Sequence, residues 1–274
     1  MKININSPKS SLILLFSLLA YLSFPVLAKA TLIGISHDGS VAKINAKTGA
    51  GIKFGDSGVG GTNALASNSN GSLFSTYGIA GGSTGFITLD PFSGKGETFK
   101  IIPAFYHNIR GLAFSEENLL YMIRDGGVSF GSFLFDELWT IDLANGNYSK
   151  IGQLNFSGIQ GLDFDPKGAL YAWDVRYGLI SIDTNTANAE DVNAFMDGST
   201  QIQTILFNSD GILYGARDAL FKIDSVTGTS TYIGSGGYSD LRGLEFSVPE
   251  PTTMLLLAIG WIGILGLRKR PNKL

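Results

Sequence analysis

Five times along the chain a short apolar run ends in Asp or Asn and enters a polar turn: VAKINAKTG, GFITLDPFSG, LWTIDLANG, LISIDTNTA and LFKIDSVTG. The turn residues Asn45, Asp90, Asp142, Asp183 and Asp224 are 45, 52, 41 and 41 residues apart. A period of that size means that one supersecondary unit is repeated, and that each unit buries its core against its neighbours.

Two more patterns recur in fixed order within each period. One is an apolar run: NALAS (63–67), RGLAF (110–114), QGLDF (160–164), QTILF (203–207) and RGLEF (242–246). The other follows a tight turn: TLIGI (31–35), SLFST (72–76), LLYMI (119–123), ALYAW (169–173) and ILYGA (212–216). All three are short, rich in Leu, Ile, Phe and Tyr, and bounded by turns such as N-S-N-G and D-P-K-G, so they read as strands. A fourth strand follows each Asp turn, as in NYSKIG (147–152) and TSTYIG (229–234). Four strands per unit of about 43 residues predict the blades of a β-propeller. The repeat begins on a second strand, TLIGI, and finishes on a first strand, RGLEF. The C-terminal strand should therefore complete the blade started by the N-terminal strands, leaving no open sheet edge. The expectation is an all-β, five-bladed β-propeller over residues 31–247. The alternative architecture, a β-solenoid, does not need this strand permutation. The repeats resemble the generic propeller repeats of the YVTN and NHL types.

The two ends read as addresses. Residues 1–30 carry Lys2 and Lys9, an apolar stretch from Leu12 to about Phe24, and Ala28-Lys29-Ala30. This is the order of a secretory signal peptide, with cleavage by signal peptidase expected after Ala30. Residues 252–267 are uncharged. As a helix they would span roughly 24 Å, enough to cross a bilayer with help from flanking residues. Arg268, Lys269 and Arg270 in the closing segment 268–274 should stay in the cytoplasm, placing the repeat domain outside. Between domain and helix lie Val248, Pro249, Glu250 and Pro251. The order of Pro-Glu-Pro, apolar helix and basic end over residues 248–274, paired with a signal peptide, resembles the PEP-CTERM sorting signal. That resemblance implies a bacterial protein exported across the inner membrane, processed near Pro-Glu-Pro by an exosortase, and delivered to the surface or extracellular matrix.

Composition excludes several chemistries. The chain has no Cys and two His, His37 and His107. A disulfide scaffold, a thiol nucleophile and a His-rich metal site are therefore excluded. Residues 31–248 hold 13 basic and 22 acidic side chains, a net charge of −9. Such a surface repels phosphate backbones, so nucleic acid is not an expected partner.

Local motifs read mainly as structure. SGKGET (93–98) falls in the repeated turn and lacks the remaining features of a phosphate loop. GDSGVGG (55–61) and GGSTG (81–85) read as blade connections. The five Asp or Asn turn residues read as carboxylate or amide acceptors that fix the turn. Asp163 and Asp165 form the densest acidic pair, also at a repeated turn. His107 has no visible catalytic partner.

One set of residues suggests recognition. Each first strand opens on a polar residue: Asn63, Arg110, Gln160, Gln203 and Arg242. If the first strands are innermost, these five ring one mouth of the central channel, where two Arg and three amides could grip a carboxylate, a sugar or a peptide end. Asp163 and Glu245 lie three residues further along their strands. Simple alternation turns them away from the ring, so no shared site is expected there. The sequence thus predicts a non-enzymatic surface or matrix protein that needs no cofactor or metal and binds extracellular polysaccharide or a surface protein. The alternative is an exported propeller enzyme of lactonase, lyase or cyclotransferase type.

Overall fold

The structure is a computed structural model and describes residues 30–102, 109–129, 132–195 and 198–247. The expected signal-peptide residue Ala28, the sorting motif 248–251, the apolar span 252–267, the basic end 268–274 and His107 lie outside the described residues. Among the described residues no helix is long and apolar enough to cross a membrane.

Twenty-two strands are present among them. Blade I contains β1 (Thr31–Ser36), β2 (Ser40–Ile44) and β3 (Gly51–Asp56). Blade II contains β4 (Thr62–Ser67), β5 (Leu73–Ile79), β6 (Ser83–Leu89) and β7 (Gly96–Ile102). Blade III runs through β8 (Ile109–Phe114), β9 (Leu120–Arg124), β12 (Glu137–Ile141) and β13 (Tyr148–Gln153), with a small hairpin, β10 (Val128–Ser129) and β11 (Ser132–Phe133), inserted after β9. Blade IV contains β14 (Ile159–Phe164), β15 (Leu170–Asp174), β16 (Gly178–Ile182) and β17 (Ala189–Asp191). Blade V contains β18 (Thr204–Phe207), β19 (Leu213–Ala216), β20 (Ala219–Ile223) and β21 (Ser230–Ser235). The last strand, β22 (Leu241–Ser247), joins blade I in the order β22-β1-β2-β3. The result is the expected all-β, five-bladed propeller with four-stranded blades, closed by the C-terminal strand. β22 pairs antiparallel with β1 from Thr31↔Ser247 to Ser36↔Leu241. The inserted hairpin accounts for the longest repeat interval.

The repeated turns form for the predicted reason. Side chains of Asn45, Asp90, Asp142, Asp183 and Asp224 each accept from the backbone N–H two residues on, at 2.7–2.9 Å. Four residues on, a backbone N–H returns to the carbonyl of the same residue. That position has positive φ, and is Gly in four blades and Ala187 in the fifth. Glycine supplies this left-handed conformation without a Cβ penalty.

The first strands β4, β8, β14, β18 and β22 stand side by side around the axis. Their second pattern position is Ala64, Gly111, Gly161, Thr204 and Gly243. A methyl added at Gly243 would overlap Leu65 and the carbonyl carbon of Ala64 in the next blade. The narrow centre of a five-bladed ring thus selects small residues there. Gly243→Ala is expected to cost about 2 kcal/mol through overpacking, read as a lower thermal midpoint with unchanged circular dichroism at low temperature. An unchanged midpoint would show that the inner strands are not in close contact.

Candidate functional site

Four of the five polar residues that open the first strands sit at a β-bulge. The ladder shifts across Asn63–Ala64, Arg110, Gln160 and Arg242. In β18 the Gln203 amide bonds Ala216, which Thr204 also faces. A bulge places two residues opposite one and re-aims a side chain. Arg110 and Arg242 line a narrow cavity between the inner strands together with residues of β4, β14 and β18.

Both guanidiniums are already engaged. Arg110 pairs with Asp125 at 2.5 Å. Arg242 pairs with Asp240 at 2.9 Å and donates to Gln203 Oε1 at 3.0 Å. Asn63 donates to the Gly61 carbonyl at 3.4 Å, and Gln203 to Thr200 at 3.3 Å. Asp240 also receives Arg217 at 3.4 Å. The carboxylates Asp125 and Asp240 come from loops at the same mouth and were not legible as partners, because they have no counterpart in every repeat.

A second carboxyl layer lies nearby. Asp136 is fully buried and accepts from the N–H groups of Gly126 at 3.0 Å and Ile159 at 2.9 Å, the latter from the next blade. Burial pushes its carboxyl up to about 6, against those hydrogen bonds and the charge of Arg110. Asp174, also buried, accepts from Gly158, Arg176 and Tyr177 and fixes the corresponding loop of blade IV.

The structure corrects the expectation for Asp163 and Glu245. Both residues are partly buried, and their carboxyls interact electrostatically. Asp163 accepts from Phe207 N–H of blade V at 2.5 Å, and Glu245 from Ser67 N–H of blade II at 2.8 Å. Each therefore staples its strand to the next blade. Burial, then the charge of Glu245, holds Asp163 well above the usual carboxylate range. Burial pushes Glu245 up to about 7. Counting alternate residues from the polar ring failed because the bulges at the ring position break the alternation. Among the described residues, no group of three or more His, Cys, Asp or Glu is placed to hold a metal ion.

At the opposite mouth, where the first strands end, an open cleft of about 510 Å³ spans blades II to IV. Its apolar part comes from Phe114, Tyr121 and Phe164, and its polar part from the turns that follow β4, β8, β14 and β16. The sequence marks these turns as structural, with Asp183 fixing its turn and Asp165 in the densest acidic pair, and does not mark them as a cleft. The available signal was Ser67, which occupies a column that is Phe in the other four copies.

Fold and topology define the class: a five-bladed β-propeller. It is similar to a symmetrical protein described in connection with de novo evolutionary emergence and folding constraints, with a TM-score of 0.51 and 19% identity, covering 81% of this chain and 100% of that one. It is similar also to a chain of a nidogen/laminin complex, with a TM-score of 0.55 and 10% identity over 80% of this chain and 98% of that one. A structural genomics protein of unknown function from Bacteroides thetaiotaomicron VPI-5482 aligns with a TM-score of 0.51 and 14% identity, over 81% and 62% of the two chains. These likenesses concern the fold. No curated protein matches the chain. Behind the propeller, residues 247–270 match the PEP-CTERM protein-sorting motif. The protein is an exported, membrane-passing precursor, a substrate of exosortase-type sorting machinery that carries a propeller as its passenger.

Proposed function

We propose that the passenger is a non-enzymatic propeller of the cell surface or extracellular matrix that binds glycan or protein partners. The observation that carries this reading is a sorting motif set directly behind the closing strand of a propeller with an open, aromatic-floored cleft on one face. The polar ring at the other mouth is a second candidate surface. A carboxylate ligand there would have to replace Asp125 and Asp240 as partners of Arg110 and Arg242. One observation favours the alternative of an exported enzyme. Partly buried carboxyls with raised pKa values are a feature of acid–base sites, and Asp163 and Glu245 form such a pair.

The test is the intact mass of the protein from membrane and extracellular fractions of its host, followed by retention on that host's extracellular polysaccharide. Loss of residues 1–30 with a cut near Pro249–Pro251 and retention on polysaccharide are expected. A mass that runs through Leu274 in every fraction would make the tail a permanent anchor and overturn release. Unchanged retention after joint Arg110→Ala and Arg242→Ala replacement would remove the ring as the binding surface. Turnover of a lactone or glycan that is lost in Asp163→Asn would favour the enzyme.

A further inference from the structure

Four of the five blade junctions carry one aromatic pair at the strand-end mouth. Phe114 packs on Phe74, Phe164 on Tyr121, Phe207 on Tyr171 and Phe246 on Tyr214, with ring centres 5.3–6.0 Å apart. At the junction of blades I and II the equivalent residues are Ser67 and Ile33. The aromatic layer therefore has one gap, and Ser67 lines the cleft that opens beside it.

We propose that this cleft binds a saccharide carrying a free amine, a hexosamine unit of an extracellular glycan. The inference rests on the reading of the propeller as a binding module and assigns it a site and a ligand class. About 510 Å³ falls within the range of small-ligand sites. Phe114, Tyr121 and Phe164 are only partly buried and supply flat apolar surface for the C–H face of a pyranose. Among the described residues, no hydrogen bond occupies the Tyr121 hydroxyl. The Thr184 hydroxyl can donate and accept and the Asn68 amide nitrogen can donate, as sugar hydroxyls require, whereas the Ser67 and Ser115 hydroxyls and the Asn68 amide oxygen already have partners within the protein.

Charge selects among sugars. Glu116, Glu117 and Asp165 line the cleft against one cation, Lys167. Hydrogen bonds from its own backbone N–H and from Ser115 hold the Glu117 carboxyl below its usual range, so it is ionised at neutral pH. Uronates and sulfated sugars are repelled, whereas an ammonium group is attracted.

The full chain in detergent is titrated with a glucosamine tetramer, its N-acetylated counterpart, a galacturonate tetramer and a lysine trimer. The glucosamine tetramer should bind, the acetylated one at least tenfold more weakly, and the galacturonate not at all. Ser67→Phe restores the residue of the other four copies and keeps the backbone N–H bond to Glu245, so the protein is expected to stay folded, with a midpoint lowered by loss of the Ser67 hydroxyl contact to Glu245, while affinity drops more than tenfold. Joint Glu116→Gln and Glu117→Gln replacement, at exposed positions, should weaken binding about fivefold and flatten its salt dependence. Binding unchanged in both variants would place the saccharide elsewhere, overturning the cleft and leaving the binding role of the propeller intact. Preference for the lysine trimer would make this a basic-peptide site and overturn the ligand class. Failure of the wild type to bind any saccharide would overturn both the cleft and the glycan reading.

Discussion

Ending the chain at Asp240 is expected to abolish the cooperative thermal transition that a chain ending at Ser247 retains. The seven residues between these endpoints are β22, one of the four strands of blade I. Leu241 and Leu244 are fully buried and belong to the core shared by blades V and I. Each contributes about 1.5–3 kcal/mol by burial. Loss of the strand also strips six paired residues from β1 and exposes the inner faces of blades II and V. A domain of this kind has roughly 5–15 kcal/mol in all, so the loss is comparable with the whole. Circular dichroism and calorimetry of the two chains would check it. Equal midpoints would mean that the ring is held shut by contacts other than β22.

Stability should fall as pH rises from about 5 to 8. Glu245 has an ordinary value of 4.5 and is pushed up to about 7 in the folded protein. Below pH 4.5 it is protonated in both states and costs nothing. Above that, the unfolded chain releases its proton while the folded chain keeps it, and stability is lost until pH passes the folded value. The difference amounts to at most about 3 kcal/mol. Asp163, raised in the same direction, and Asp136, pushed up to about 6, add to the slope. The groups facing this pair are the backbone N–H donors of Ser67, Phe207, Phe164 and Phe246 and the Ser67 hydroxyl, with Asp165 nearby. In the opposite direction, Asp38, Asp90, Asp183 and Asp224 are held below their usual range by backbone hydrogen bonds and lose that support only in strong acid. Maximum stability is therefore expected near pH 5. Urea midpoints at pH 5 and 8 should differ in the wild type and differ by less in Glu245→Gln, where Asp163 and Asp136 still titrate. A slope that Glu245→Gln leaves unaltered would show that the axis carboxyls are not its source.

The fold was legible because its determinants are local and repeated. Each Asp or Asn turn fixes its own hairpin through a bond two residues long, and five copies in one order identify the blade. The site was less legible because its determinants are exceptions to the repeat. Asp163 and Glu245 occupy a column that is Ala or Leu in the other blades, and the bulges that bring them to the axis leave no mark in hydrophobic alternation. Asp125 and Asp240, which neutralise the ring arginines, come from loops of unequal length. The cleft follows from one serine in a phenylalanine column, visible only once the columns are seen as neighbours in space.

β22 has a consequence for the order of events in export. Its partner β1 lies more than 200 residues earlier, so β1, β2 and β3 wait with an open edge while four complete blades are made and carried across. Pairing ends so far apart in the chain is slow. The sorting motif begins as β22 ends. A passenger can therefore seal itself only when almost everything before the motif has left the cytoplasm. Under the proposed release, cleavage at Pro-Glu-Pro would free a sealed ring, and a cut a few residues earlier would free one that falls open. A chain clipped or stalled before Ser247 would thus be left with an unsealed blade.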